Sequence, residues 1–278
     1  RRHIAVLGVP TRFGTSYPGS ERTPSLVRGL GILERLIAAS PYEVVDAGDV
    51  VVPASPWGSD GFPLRAIDEV RETATNQAAR VREVLLQGNA PLVVGGDCTT
   101  LLGTAAGLRR AGLRFGLICF DAHGDFNTDR TTPSGNVHGM TVATVAGRGA
   151  PALLDVFGAG PTVRERRITL LGVRDLDPPE ADALAASAVT VLTPAEMRVR
   201  GLRASAETAR NRALSALEGG SPIGLLLHVD LDVLDPSEGM GVGLPVPGGL
   251  LLDELIASLE PIVASGPVLA AELTAAAP

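Results

Sequence analysis

The chain has 278 residues, 45% of them hydrophobic, and a formal charge of −7. That length buries one sizeable core, and the acidic balance speaks against a nucleic-acid backbone or an anionic membrane as partner, because neither is attracted to such a surface. All 24 basic residues are arginine, so lysine Schiff bases, pyridoxal phosphate attachment and a P-loop lysine are excluded. Cys98 and Cys119 are the two cysteines and make no disulfide framework; no signal peptide or long apolar run is recognisable. The expectation is one domain over residues 1–278, soluble and cytoplasmic.

Apolar, β-branched runs recur along the chain: HIAVLGVP (3–10), YEVVDAGDV (42–50), PLVVGGD (91–97), FGLICFDAHGD (115–125), ITLLGVRD (168–175), VTVLTP (189–194), IGLLLHVDLDV (223–233) and PVLAAEL (267–273). Helical patterns such as DEVRETATNQAARVREVLLQG and LLDELIASLEPIVA lie between them. Strands that are apolar throughout and alternate with helices predict an α/β fold with a mostly parallel sheet covered on both faces. Such sheets bind ligands beyond the carboxyl ends of their strands. The long glycine-proline loop after the first strand, GVPTRFGTSYPGSERTPS (8–25), is a candidate wall of that site or an ordinary surface connection.

Polar residues collect at two of those strand ends. The fourth run ends in Asp121, His123 and Asp125, the seventh in Asp230, Asp232 and Asp235. On extended backbone, residues i and i+2 share a face, so Asp121 pairs with His123 and Asp230 with Asp232. Carboxylates packed so closely repel one another unless a cation neutralises them. Oxygen-rich ligands with some imidazole suit Mn²⁺, and bridging carboxylates suit two ions about 3.5–4 Å apart. His228 has the parity of Asp230 and is a candidate for a group supporting the metal ligands from behind, but reads first as a satisfied buried histidine; His3 reads as a bland strand residue.

GGDC (95–98), DAHGDFNT (121–128), TTPSGNVHGM (131–140), GVRDLDPPE (172–180), HVDLDVLDP (228–236) and PVPGGL (245–250) resemble, in this order, the motifs of the arginase or ureohydrolase family. The resemblance implies a three-layer α-β-α fold with a sheet of about eight strands. It implies a binuclear manganese site that hydrolyses a small guanidino amino acid to urea and an amine, and assembly as a homotrimer or homohexamer. By position, Asp121 and Asp230 would bridge the metals, Cys98 and Asp125 would complete one ion, and His123 and Asp232 the other. Asn127, Thr132, Ser134 and Asn136 would bind the substrate α-carboxylate and α-amino end, with Asp177 and Glu180 meeting the ammonium. Asp125 would orient the attacking water, His138 would shuttle a proton to the leaving amine, and Glu272 would pair with the guanidinium.

Three departures stand out. The family pattern GGDH is here GGDC, so Cys98 is a thiolate ligand, a residue beside a weakly held or absent ion, or a small buried apolar group. Leu244 stands where arginases usually have threonine, and ELTAAAP replaces the usual E-x-N-P ending. The leading expectation is cleavage of L-arginine or a close analogue to urea and L-ornithine. Hydrolysis of Nω-hydroxy-L-arginine to hydroxyurea and ornithine is the alternative, because a related group resembles this chain in its cysteine. An inactive binding or scaffold protein is a reading from another class, and a mononuclear zinc deacylase is disfavoured by the ligands for a second ion in DAHGD.

Overall fold

The computed structural model describes residues 3–54, 64–158, 160–215, 224–239 and 241–276. In chain order the strands are β1 Ile4–Val9, β2 Val44–Asp49, β3 Ala90–Gly95, β4 Phe115–Phe120, β5 Ile168–Leu171, β6 Thr190–Leu192, β7 Gly224–Asp230 and β8 Val268–Thr274. The helices are α1 Thr23–Gly29, α2 Ile32–Ala39, α3 Ile67–Leu86, α4 Thr100–Arg110, α5 Thr141–Val145, α6 Pro151–Leu154, α7 Pro178–Ala185, α8 Pro194–Arg200, α9 Leu202–Ala213 and α10 Leu252–Ser265. Each expected strand run overlaps one of these strands, β3 starting one residue before its run and β8 ending one residue after. The two quoted helical patterns are α3 and α10, and α10 continues through Pro261.

The strands form one sheet in the order β2-β1-β3-β8-β7-β4-β5-β6. Every strand pair in it is parallel. Alternation along the buried strands divides the core. Leu117 and Cys119 of β4 pack with α3 and α4 residues such as Ala78, Leu101 and Leu108. Ile118 and Phe120 pack on the opposite face with Ala206 and Ala209 of α9 and Leu255 and Ile262 of α10. Two smaller clusters repeat the division at the other end of the sheet: Val93 meets Val81 of α3, while Val94 meets Leu33 of α2. Helices therefore cover both faces, which leaves the carboxyl edge as the place for polar groups.

The order of the central strands matters most. β3, β8, β7 and β4 are neighbours, so motifs far apart in sequence end side by side: GGDC after β3, Glu272 within β8, HVDLD at β7 and DAHGD after β4.

Candidate metal centre

The expected convergence occurs, but by a different local mechanism. β4 ends at Phe120 and β7 at Asp230, so strand alternation does not carry Asp121 to His123 or Asp230 to Asp232. The chain folds back on its own carboxylates instead. The amide of His123 donates to Asp121 Oδ1 at 2.6 Å, and the amide of Asp232, in the 3₁₀ turn Leu231–Val233, donates to Asp230 Oδ1 at 2.8 Å. Aspartates hydrogen-bonding their own backbone two residues on are turn formers. Here those turns also aim the side chains inward. Asp232 Oδ1 accepts the amide of Ala122 at 3.0 Å, which ties the two turns together.

His123 Nδ1 lies 3.0 Å from Asp232 Oδ2 and 3.5 Å from Asp121 Oδ1. Asp125 has φ of 48°, a left-handed conformation costing about 1–3 kcal/mol in a non-glycine residue. It is held there by Thr141 Oγ1, which donates to Asp125 Oδ2 at 2.9 Å, and by the Ala143 amide on its carbonyl at 3.1 Å. Cys98 is buried, with Sγ 2.8 Å from Asp230 Oδ2. Asp97, its neighbour, is a loop anchor: its carboxylate accepts the amides of Gly14 and Thr99, each at 2.9 Å. That fastens the 8–25 loop over the site, where Thr15, Tyr17 and Ser20 line a cleft with Cys98, His138 and Asp232. Leu244 and Ala275 are also in its wall.

The electrostatics ask for a cation. Burial, then Asp232, raises the Asp121 carboxyl; burial, then Asp121, raises that of Asp125. Asp230 is likewise pushed well up by burial and by Asp232 and Asp121. Burial and the charges of Asp230, Asp125 and Asp121 push the Cys98 thiol well up. For His123 burial acts downward, but hydrogen bonds and charges from Asp121 and Asp232 outweigh it and push the imidazole up to about 12. Burial lowers His138, which favours its neutral form. Divalent ions invert this logic by stabilising carboxylates and thiolate together.

The donor set fits metal ions. Among the described residues, Asp121, His123 and Asp232 each offer a ligand atom within 4.8 Å of the others, and so do Cys98, Asp121 and His228. The two groups share Asp121, as a bridging carboxylate requires. Inclusion of His228 corrects its reading as a satisfied histidine: its Nε2 is buried and has no hydrogen-bond partner. Asp235 stands apart, latching the 248–249 turn with its carboxylate.

The remaining expected residues fall into two places. Asn127 Nδ2 donates to Asp177 Oδ2 at 2.9 Å, and its Oδ1 accepts from Thr131 Oγ1 at 2.9 Å. Thr132 Oγ1 accepts the Gly135 amide, Ser134 Oγ the Asn136 amide, and Asn136 Nδ2 reaches Ser16 Oγ at 3.4 Å. Glu180 is buried, taking the amides of Phe126 at 2.7 Å and Asp177 at 3.3 Å; it braces DAHGDF from beneath. Glu272 lies below the centre, with one oxygen 2.8 Å from His228 Nδ1 and the other bonded to the Thr104 hydroxyl. Arg174, which the sequence reading passed over, donates to the carbonyls of Asp232 and Val246, each at 2.7 Å, and binds the metal-side turn to the 245–250 motif. An arginine inside the GVRD motif, directly after an apolar strand run, was the available signal.

Comparison with known proteins agrees with this geometry. The sequence model of the Arginase family matches residues 2–278. The chain is 36% identical to an arginase of Bacillus caldovelox over 97% of this chain and 89% of that protein, and 34% identical to an arginase of Brevibacillus brevis over 93% and 85%. The solved structure of the Bacillus caldovelox arginase superposes with a TM-score of 0.90, covering 100% of this chain and 92% of that one. Proclavaminate amidino hydrolase from Streptomyces clavuligerus, 25% identical, superposes with a TM-score of 0.73 over 100% and 84%. With both the sequence and the sheet shared from end to end, this chain belongs to the arginase family.

Proposed function

We propose that the chain is a metal-dependent amidinohydrolase that cleaves L-arginine to urea and L-ornithine. The observation that carries this reading is the pair of ligand groups that share Asp121, two of whose members, Cys98 and Asp232, line the cleft beneath the 8–25 loop. Asp121, Asp230, Asp125, Cys98, His123 and Asp232 would hold two ions per subunit, Mn²⁺ by the resemblance. When bound, such ions lower the pKa of a water and polarise the group it attacks.

The residues of the chain do the rest. Asp125, fixed by Thr141, orients the water and receives its proton at a carboxylate oxygen. His138, in the cleft wall and favoured neutral by burial, passes a proton to the leaving amine. The Asp177 carboxylate faces the substrate ammonium. Asn127, Thr132, Ser134 and Asn136 supply amide and hydroxyl groups for the α-carboxylate. The 8–25 loop, pinned by Asp97, shields the reacting end from bulk water. The family resemblance also supports a cytoplasmic homotrimer or homohexamer of one-domain subunits.

A second reading, Nω-hydroxy-L-arginine to hydroxyurea and ornithine, is favoured by Cys98 together with Leu244 and Ala275 in the cleft wall. Parallel product assays with the two substrates separate the readings: urea from arginine supports the first, and hydroxyurea without urea the second.

A further inference from the structure

His228 lies two residues before Asp230 on β7 and is 1% exposed. Its row in the sheet aligns it with Glu272 of β8 and Cys119 of β4. The ring is held by a buried relay. Gln77 of α3 donates through Nε2 to the Thr104 hydroxyl oxygen of α4 at 2.8 Å, Thr104 donates to one oxygen of Glu272, and the other oxygen meets His228 Nδ1 at 2.8 Å. A carboxylate accepts, so Nδ1 carries the ring proton and Nε2 presents its lone pair. That lone pair has no hydrogen-bond partner, an expensive arrangement inside a protein unless something else binds it. A ligand atom each of His228, Cys98 and Asp121 lie within 4.8 Å of one another.

The geometry points to His228 as a metal ligand, its Nε2 joining Cys98 Sγ and an Asp121 oxygen around one divalent ion, with Glu272 as the carboxylate that orients the ring. A histidine that gives one nitrogen to a metal and the other N–H to a carboxylate is the usual way a protein fixes a ligating imidazole. The inference rests on the binuclear reading above and deepens it. The imidazole that the family pattern places at position 98 is supplied here from β7, two strands away across β8. The sulfur, nitrogen and oxygen donors favour Zn²⁺ or Co²⁺ over Mn²⁺ at this position, whereas the group of Asp121, His123 and Asp232 keeps the donor set that suits Mn²⁺. Glu272 becomes a positioning residue, since His228 and Thr104 already engage both its oxygens.

The test uses the full chain stripped of metal and titrated with Zn²⁺ and, separately, with Co²⁺. Ions per chain are counted after equilibrium dialysis, Kd is read by chelator competition, and the Co²⁺ spectrum is recorded for its sulfur charge-transfer and d–d bands. His228→Gln is expected to lose one of two ions or to bind it at least about 100-fold more weakly, with altered d–d bands. Glu272→Gln is expected to keep both ions and weaken one by about 10–100-fold. His228→Gln with wild-type ion count, Kd and spectrum would overturn the assignment while leaving the binuclear reading intact. Wild-type protein that binds no ion would overturn both. Should His228→Gln fail to fold by circular dichroism, Glu272→Gln decides, and an unchanged Kd there overturns the assignment.

Discussion

Cys98 Sγ and Asp230 Oδ2 meet at 2.8 Å although their strands, β3 and β7, are separated in the sheet by β8. The thiol closes the gap between the GGDC turn and the acidic cluster, and its proton occupies the side of Asp230 that a cation would take. A thiolate there selects softer ions. Cys98→Ser should therefore weaken Zn²⁺ binding about tenfold or more and leave Mn²⁺ binding nearly unchanged, since oxygen replaces sulfur. Competitive dialysis with elemental analysis measures both. Equal, small changes for the two ions would make Cys98 a packing residue.

The raised carboxyls fix the pH behaviour. Asp125 and Asp230 sit well above their ordinary 3.8 when folded, through burial and mutual repulsion. The folded protein then binds more protons than the unfolded chain above that value, so metal-free stability falls as pH rises. His123, pushed up to about 12 from 6.5, acts in the same direction from about pH 6.5 upward. His138, lowered by burial, opposes it only up to its ordinary value. Carboxyls with lowered values, such as Glu196 and Glu254, lose their contribution at lower pH and leave this window alone. The Tm of chelated protein should thus drop between about pH 5 and 8 and flatten when metal is restored. A Tm that climbs across that range without metal contradicts the cluster electrostatics.

His138 lines the cleft but belongs to neither ligand group. His138→Asn should lower kcat by about 10²–10⁴-fold, the usual contribution of a proton-transfer group, with two ions still bound. Metal content and steady-state kinetics on the same preparation check this; full turnover would remove the shuttle.

Asp177 and Asn127 are hydrogen-bonded to each other and far in sequence from the metal turn after β7. Loss of a charged hydrogen bond costs about 1.5–3 kcal/mol, or roughly 10–100-fold in affinity. Asp177→Asn should raise KM for arginine by about that factor with kcat much less affected. An equal fall in kcat at unchanged KM would place Asp177 in the chemistry instead.

The strands were legible in the sequence because both faces of the sheet are covered. Apolar runs such as FGLIC leave no other solution. The acidic cluster was legible too, although the reason offered for it was not the operative one. Asp121 and Asp230 are aimed by side-chain-to-amide turns at the strand ends, and single-sequence alternation carries no sign of where a strand stops. His228 was hidden for a related reason. Its parity with Asp230 was visible, but its orphaned Nε2 depends on Glu272 and Thr104, which only the β7–β8 pairing and α4 bring to it.

Guanidino hydrolysis at a binuclear centre that requires an α-amino acid end is decided by identifying the products formed from L-arginine, Nω-hydroxy-L-arginine and agmatine in parallel, with metal-reconstituted protein whose ions per chain are counted in the same samples. Urea and ornithine are expected from arginine, with agmatine, which has no α-carboxylate, left essentially unconverted. Two ions bound and no urea or hydroxyurea from any of the three would contradict it.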